Sequence, residues 1–144
     1  MKIIVKIRRL IRYTVIFLMY LIYTKVYKMK IAKSARISFG AKLDKTYPKG
    51  IHIGEESYIA SGAIIFTHNY NKYLKVDTFI GKRCFIGANA IIMPGIKIGD
   101  EVIVGAGSVV TKDVESNTIV AGNPAKVLKT GIQTMKYGRL AREN

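Results

Sequence analysis

Aliphatic residues recur every six positions along most of this 144-residue chain. They fall in three phased blocks: Ile31, Ile37 and Leu43; Ile53, Ile59 and Ile65; and Ile80, Ile86, Ile92, Ile98, Val104 and Val110. An uncharged residue stands two positions before each one, and residues two apart on a strand point to the same side. Short strands joined by corners every six residues form a coil of stacked parallel strands, a solenoid. The period therefore predicts an all-β coil, with no helical periodicity from residue 31 to about residue 128.

The residue just before each aliphatic residue is predicted to point outwards. With three units in each turn, one outer face carries Tyr58, Phe85 and Ile103, a second carries Ile64, Ile91 and Val109, and a third carries Lys30, His52, Phe79 and Lys97. Two apolar outer faces are too extensive to remain in water. We therefore expect an oligomer in which neighbouring subunits cover these faces, and we expect His52 to be a surface residue rather than a ligand.

Two stretches carry a resemblance to a known family: "IGKRCFIGANAIIMPGIKIGDEVIVGAGSVVTKDV" and "IVAGNPAKVLK". Together with the six-residue period they resemble the hexapeptide-repeat acyltransferases, in particular the maltose, galactoside and polysaccharide O-acetyltransferases. The similarity covers roughly residues 31–130 and is strongest over residues 79–129. This resemblance implies a left-handed parallel β-helix of triangular section, a homotrimer, and acetyl-CoA bound as acyl donor in a groove between two subunits.

The six-residue period is interrupted at "FTHNYNKY", residues 66–73. Fifteen residues separate Ile65 from Ile80, nine more than one unit, so a loop must leave the coil at or just after His68. We place this loop at residues 69–79. In the resembled family a histidine at the head of an extended loop is the general base, which implies that His68 accepts the proton of an acceptor hydroxyl. Imidazole groups exchange protons near neutral pH, and a positioned base accelerates a reaction about 10²- to 10⁴-fold.

The groups around His68 are less defined by the sequence. Asn69 is adjacent and could hold the acceptor or the cofactor, so it is our substrate-binding candidate. A carboxylate that orients the imidazole could be Asp77, Glu55 or Asp44, and the sequence does not choose among them.

The resemblance also implies six cofactor-binding positions. They are Ala88, Ala106, Thr111, Lys112, Lys126 and Lys129. The two alanines would offer backbone groups to the pantetheine arm, the threonine and the lysine after it would meet the nucleotide end, and the last two lysines would reach the phosphates. No metal is expected, because a zinc site of the carbonic-anhydrase type needs three histidines and the chain has two. The single cysteine, Cys84, is predicted to be a small core residue.

The net charge of +15 is concentrated at the N-terminal end. Residues 1–36 hold ten Lys or Arg residues and no acid, whereas the rest of the chain has a net charge of +5. Wound as a helix, the first half of residues 1–28 is amphipathic, and the uncharged run 13–24 is shorter than the ~20 residues needed to cross a bilayer. We expect residues 1–28 to lie in the membrane interface with their bases facing anionic head groups. A helix that packs on the domain with its bases in water is the open alternative, and a cleaved signal peptide is disfavoured.

Three segments follow from these observations: the N-terminal helix 1–28, the β-helix domain 29–130 with its loop, and a C-terminal tail 131–144. The predicted function is O-acetyl transfer from acetyl-CoA to a hydroxyl of a sugar, nucleotide sugar or lipid-linked sugar in surface polysaccharide or glycolipid biosynthesis. The predicted location is cytoplasmic, peripheral at the inner face of the cell membrane. The alternative is a noncatalytic trimeric scaffold that clusters membrane-binding helices. Nucleic-acid binding is disfavoured, because the basic tract is interleaved with apolar residues and no recognition motif occurs.

Overall fold

The computed structural model describes residues 1–142, so the last two residues of the predicted tail, 143–144, lie outside the described residues. Helix α1 spans Lys2–Leu21, and a π-helical segment, Ile22–Val26, continues it. Short 3₁₀ helices occur at Pro48–Gly50 and Lys136–Gly138. The remaining regular structure consists of strands, most of them two or three residues long.

The strands of the coil form three sheets whose neighbouring coil strands are parallel. The first sheet contains β1 (Lys30–Ile31), β4 (Ile51–Ile53), β9 (Thr78–Ile80) and β12 (Lys97–Ile98). The second contains β2 (Arg36–Ile37), β5 (Tyr58–Ile59), β10 (Phe85–Ile86), β13 (Ile103–Val104) and β15 (Thr118–Gly122), with β16 (Ala125–Thr130) antiparallel to β15 at its end. The third contains β3 (Lys42–Leu43), β6 (Ile64–Ile65), β11 (Ile91–Ile92) and β14 (Val109–Val110). Two small hairpins, described below, are β7 (His68–Asn69) with β8 (Leu74–Lys75), and β17 (Thr134–Met135) with β18 (Arg139–Leu140).

The register of these sheets confirms that three six-residue units make one turn of the coil. Phe85 pairs with Tyr58 on one side and Ile103 on the other, as predicted from the outward positions. The same holds for Ile91, which lies between Ile64 and Val109. Because three sheets are joined by three rows of corners, the coil has three outer faces and three edges.

The core lies inside the coil and consists of the periodic residues. All twelve aliphatic residues of the six-residue series are buried. Corners stack directly on one another, and a Cβ atom added to Gly54 would lie 2.6 Å from the carbonyl carbon of Gly81 in the next coil. Side chains are excluded from that position because the backbones of successive coils approach so closely.

The second half of α1 closes the open end of the coil. Tyr20 of α1, Tyr23 of the π-helical segment and Tyr27 just after it pack against the core, and Ile16 and Met19 of α1 line the same small cavity as residues of the first coil. The first half of α1 has no such cover, and no residue of α1 is fully buried. No helix within residues 1–142 has both the length and the hydropathy required to span a membrane.

Residues 131–140, which we call the C-terminal strap, run back over the coil. Ile132 donates its N–H to the carbonyl of Asn117 on the last coil, and Tyr137 donates its N–H to the carbonyl of Glu56 on an early coil. Between them, the Thr134 hydroxyl donates to the carbonyl of Arg83 at 2.7 Å. The strap therefore ties corners of successive coils together along one edge.

The strap also covers part of one apolar outer face. The Tyr137 ring lies 6.3 Å from the Tyr58 ring, and a Cβ atom on Gly138 would meet the Cβ atom of Phe85. The expectation that neighbouring subunits cover the apolar faces stays a prediction, but on this face the chain itself supplies part of the cover.

Candidate active site

His68 lies at the start of a short hairpin that leaves the coil. Strand β7 pairs antiparallel with β8, and residues 70–73 form the turn between them. The coil resumes with β9 at Thr78, so the last two residues of the predicted loop 69–79 belong to the coil. Thr78 is buried, and its hydroxyl donates to the carbonyl of Phe66 at 2.6 Å, a bond that joins the two sides of the base of the hairpin.

The imidazole of His68 is held by Asp44. The Nδ1 atom of His68 lies 2.5 Å from Oδ2 of Asp44. Backbone N–H groups of Thr67 and His68 donate to the same oxygen at 2.9 and 3.2 Å, and the N–H of Thr46 donates to the other oxygen at 2.8 Å. The Asp44 side chain is 3% exposed and that of His68 is 27% exposed. The carboxylate is thus fixed in the protein, while the imidazole reaches the surface.

These contacts determine the charge of Asp44. Burial raises the pKa of its carboxyl group, but hydrogen bonds from Thr67, His68 and Thr46 outweigh burial and hold the pKa below the ordinary value of 3.8. Asp44 is therefore ionised at neutral pH. An ionised carboxylate at Nδ1 favours the tautomer of His68 that carries its proton on Nδ1, so Nε2 is available to accept a proton.

The other two candidate carboxylates do not take the place of Asp44 at the His68 imidazole. Asp77 accepts a hydrogen bond from Nε2 of His52 at 2.8 Å, and the His52 ring stacks on Phe79 at a centroid distance of 4.2 Å. Glu55 is exposed in a corner between the first and second sheets. Of the three candidates, the structure brings Asp44 to His68.

Tyr47 lies in the same segment as Asp44, residues 44–50, and contacts a neighbour of each histidine. Its carbonyl accepts a hydrogen bond from the Thr67 hydroxyl at 2.6 Å. Its phenol hydrogen bonds to Asp77, and this bond is the main reason that the pKa of Tyr47 lies above its ordinary value of 10.0. The loop that carries Asp44 is therefore fastened to both strands at the base of the hairpin.

Asn69 stabilises the hairpin turn. It is half-buried, and its side-chain oxygen accepts a hydrogen bond from the N–H of Lys72 at 3.2 Å. Its role in holding a substrate stays a prediction.

The two alanines predicted to hold the donor lie together on another edge of the coil. Ala88 and Ala106 are exposed in stacked corners between the second and third sheets, and Gly107 donates its N–H to the carbonyl of Ala88 at 2.8 Å. His68 leaves the coil at the edge between the third and first sheets. Within one chain, the predicted base and the predicted pantetheine-binding alanines therefore lie on different edges.

The predicted nucleotide-binding residues divide into two groups. Lys112 and Lys126 line one cleft of about 340 Å³ between the end of β14 and the β15–β16 hairpin, and Thr111 is exposed beside it. Lys129 instead lines a separate cleft of about 570 Å³ together with Gly131 and other residues near the C-terminus. The structure thus brings two of the three lysines together.

Cys84 is a buried core residue, as the sequence predicted. Burial raises the pKa of its thiol to about 11, which keeps it protonated and unreactive. Within the part of the chain that the structure describes, no group of three or more His, Cys, Asp or Glu side chains could hold a metal ion.

Asp44 is the functional residue whose role sequence reasoning left undecided, and a signal for it existed. Leu43 and Ile65 are the last members of the first and second blocks of the six-residue series, and the structure pairs them in adjacent coils. The residue after Leu43 must then lie beneath the residues that follow Ile65. Asp44 confirms this, because its N–H donates to the carbonyl of Ile65 at 3.0 Å.

Comparisons with known proteins agree with this architecture. A family model described as the hexapeptide repeat of succinyl-transferase matches residues 78–112. The crystal structure of a maltose O-acetyltransferase from Clostridium difficile 630 matches 70% of this chain and 68% of its own chain, with 31% identity and a TM-score of 0.55. The chain belongs to the hexapeptide-repeat acyltransferase family. The family predicted from the sequence is therefore confirmed.

Two further similar proteins, both described as acetyltransferases, show the extent of the match. YvoF of Bacillus subtilis strain 168 is 34% identical over 111 residues, which cover 76% of this chain and 64% of YvoF. The crystal structure of the polySia specific acetyltransferase NeuO is 27% identical, with a TM-score of 0.53, and the match covers 76% of this chain and 52% of NeuO. This chain thus spans less than two thirds of either protein.

Proposed function

We propose that this hexapeptide-repeat acyltransferase moves an acetyl group from acetyl-CoA to a hydroxyl group of a sugar. The observation that carries the proposal is the contact between His68 and Asp44. A buried ionised carboxylate orients the imidazole at the surface and leaves Nε2 directed away from it. This arrangement suits a general base, because both the position and the tautomer of the imidazole are defined before substrate binds.

In the proposed reaction, Nε2 of His68 accepts the proton of the acceptor hydroxyl as its oxygen attacks the thioester carbonyl. The tetrahedral intermediate then collapses, the bond between carbon and sulfur breaks, and His68 returns the proton to the CoA thiolate. Asp44 remains ionised throughout and stabilises the imidazolium that forms between these two steps. No other reactant is required, and the products are the acetyl ester and CoA.

The proposal includes a trimer of left-handed coils. His68 and the alanine pair of Ala88 and Ala106 lie on different edges of one chain, so a second chain is needed to bring a donor site to the base. Three such sites would form in a homotrimer. Acetyl-CoA would follow the alanine edge and place its nucleotide end near Lys112 and Lys126, whose charges suit its phosphates.

The proposed acceptor class is a saccharide. A maltose O-acetyltransferase and a polySia specific acetyltransferase are among the similar structures, which supports a carbohydrate hydroxyl. We extend this to a sugar, nucleotide sugar or lipid-linked sugar used in surface polysaccharide or glycolipid biosynthesis.

We further propose attachment at the inner face of the cell membrane through α1. The aliphatic residues of its first half are exposed, with Ile3 at 72% and Leu10 at 68%. They lie on the side of the helix opposite Ile16, Met19 and Tyr20, which face the coil. The apolar stripe therefore points away from the domain and would enter the bilayer interface, and the exposed bases on the other side of α1 add attraction to an anionic surface.

The test measures CoA release from acetyl-CoA with a panel of sugars and nucleotide sugars. Wild-type protein is compared with His68→Ala, and His52→Ala is the matched control because it removes the other histidine. We expect His68→Ala to lower turnover at least about 100-fold and His52→Ala to retain most activity.

Two outcomes would contradict the proposal. Equal activity of wild type and His68→Ala would remove His68 from its catalytic role. Absence of acetyl-CoA binding by a folded wild-type protein would instead favour the alternative of a scaffold that clusters membrane-binding helices.

A further inference from the structure

Three arginine residues from separate parts of the chain line two adjoining clefts over the second sheet. Arg12 and Arg36 line a cleft of about 260 Å³ between α1 and the first coil. Arg36 and Arg139 line an adjoining cleft of about 300 Å³ between the coil and the C-terminal strap. The two clefts share Arg36 and Tyr58, and we call them together the arginine cleft.

Arg36 is held in place by aromatic rings. Its guanidinium carbon lies 5.3 Å from the centroid of the Tyr58 ring and 5.9 Å from that of Tyr137. Stacking on a ring face fixes the plane of a guanidinium group and leaves its N–H edges free for hydrogen bonds. Arg36 is therefore a preorganised donor at the centre of the arginine cleft.

The charge of the arginine cleft is not balanced by acids. Among residues 1–142, none of the three arginines forms an ion pair, because the ion pairs join His52 to Asp77, His68 to Asp44 and Arg83 to Glu101. Concave sites of roughly 300 Å³ are at the lower end of small-molecule sites, and each of the two clefts is lined by two unpaired guanidinium groups, which attract a compact anion of high charge.

We propose that the arginine cleft binds a phosphate monoester. A terminal phosphate carries close to two negative charges at neutral pH, and its oxygens match the paired N–H groups of arginine. Arg36 would bind it centrally, Arg12 and Arg139 would bind from the two sides, and the rings of Tyr58 and Tyr137 would contact the organic group.

The arginine cleft is separate from the proposed donor site. Arg36 lies on β2 in the first coil, whereas Lys112 and Lys126 lie beyond the last strand of the third sheet. The proposed ligand is therefore not the acetyl donor. It is either a soluble phosphate compound or the phosphate head group of a lipid at the membrane that α1 is proposed to contact.

The test compares four variants in two binding assays. Arg36→Gln removes the central charge, Arg36→Lys keeps the charge without the planar group, and Arg139→Gln removes an exposed arginine of the strap. Arg8→Gln is the control, because Arg8 is exposed on α1 and lines neither part of the cleft. Thermal melting checks that each variant is folded, and Arg139→Gln remains informative if Arg36 variants unfold.

The first assay measures binding of inorganic phosphate by calorimetry. The second measures binding to phosphatidylcholine vesicles that contain phosphatidic acid, with vesicles of equal surface charge made from phosphatidylglycerol as the reference. We expect Arg36→Gln and Arg36→Lys to weaken phosphate-dependent binding at least about tenfold, and Arg139→Gln to weaken it less. Arg8→Gln should change it by no more than about twofold in the inorganic phosphate assay, where only the site itself contributes.

The two assays identify the source of the phosphate. If Arg36→Lys no longer binds inorganic phosphate, the arginine cleft is a site for a soluble phosphate compound. Loss confined to vesicles with phosphatidic acid assigns a phosphate head group. Three outcomes would overturn the site: no phosphate-dependent binding in either assay, equal effects of Arg36→Lys and Arg8→Gln, or a parallel loss of acetyl-CoA affinity in Arg36→Lys. The last outcome would place the cleft in the donor site, and the catalytic role of His68 is tested independently by turnover.

Discussion

The chain contains two histidine–aspartate pairs, and they differ in every respect that matters for catalysis. In one pair Asp44 is 3% exposed and contacts Nδ1 of His68. In the other pair Asp77 is 37% exposed and contacts Nε2 of His52. Backbone N–H groups hold the first carboxylate, whereas the side chains of His52 and Tyr47 hold the second.

A short distance between an imidazole and a carboxylate therefore does not by itself define a catalytic pair. His68 begins a hairpin that projects from the coil, so its free nitrogen can meet a substrate. His52 lies within β4, and its ring is stacked on Phe79. The first pair has the geometry that our proposal requires of a general base, and the second fastens the surface of the first sheet.

The largest expected difference between the pairs is in turnover. Asp44→Asn should lower kcat about 10- to 100-fold, because the imidazole loses the charge that selects its tautomer and stabilises its protonated form. Asp77→Asn should change kcat less than about twofold, since it does not contact His68. Steady-state kinetics with a fixed acceptor would measure both. A larger loss in Asp77→Asn than in Asp44→Asn would reverse the assignment.

A second difference is expected in stability and its dependence on pH. Both oxygens of Asp44 accept N–H groups, so an amide at this position would turn its NH₂ group towards a donor, and Asp44→Asn should cost about 1–3 kcal/mol at pH 7. The pKa of Asp44 is lowered in the folded protein, so its contribution is present above the ordinary value of 3.8 and disappears as the pH falls through the folded value.

Urea unfolding at pH 7, 5 and 3 would measure this contribution. The difference in the free energy of unfolding between wild type and Asp44→Asn should become smaller towards acid pH. Asp77→Asn is the matched comparison and should have a smaller effect, because the pKa of Asp77 is also lowered, mainly by the hydrogen bond from His52, but solvent screens this exposed group. A constant difference across the pH range would show that the charge of Asp44 does not stabilise the fold.

The smallest expected effect concerns Tyr47. Its pKa lies above 10.0 chiefly because its phenol hydrogen bonds to Asp77, so Asp77→Asn should lower the pKa of Tyr47 towards 10.0. Asp44→Asn should leave it unchanged. NMR titration of the tyrosine ring signals would follow both variants, and the same pKa in wild type and Asp77→Asn would disprove the hydrogen bond.

The sequence predicted the coil well because its determinants repeat. Each buried aliphatic residue reports the same local geometry, so a period of six residues is enough to place Ile59, Ile86 and Val104 in register. The longer of the two interruptions of the period also located the segment that leaves the coil at His68. Both features follow from the spacing of residues that are close together in the chain, and a single sequence contains that information.

Other parts depend on contacts between distant residues, and the period does not encode them. The period places Asp44 beneath the residues that follow Ile65, but the hydrogen bond that selects Asp44 depends on the side-chain conformations of two residues 24 positions apart. The path of the strap depends on single hydrogen bonds to corners, such as that between Thr134 and Arg83. The arginine cleft is lined by Arg12, Arg36 and Arg139, which come from three segments that share no pattern in the sequence.

The C-terminal strap has a consequence for how the molecule unfolds. In an ordinary solenoid each repeat contacts only its neighbours, so an end can fray without loss of the middle. Here the strap is held by Asn117 on the last coil and reaches Tyr58 and Arg36, so the last part of the chain stabilises the first coils. The strap thereby links the two ends of the stack, and fraying at either end breaks contacts that the strap makes. Unfolding should therefore be more cooperative than the repeat architecture alone implies, and folding of the first coils is complete only when the strap has been laid down.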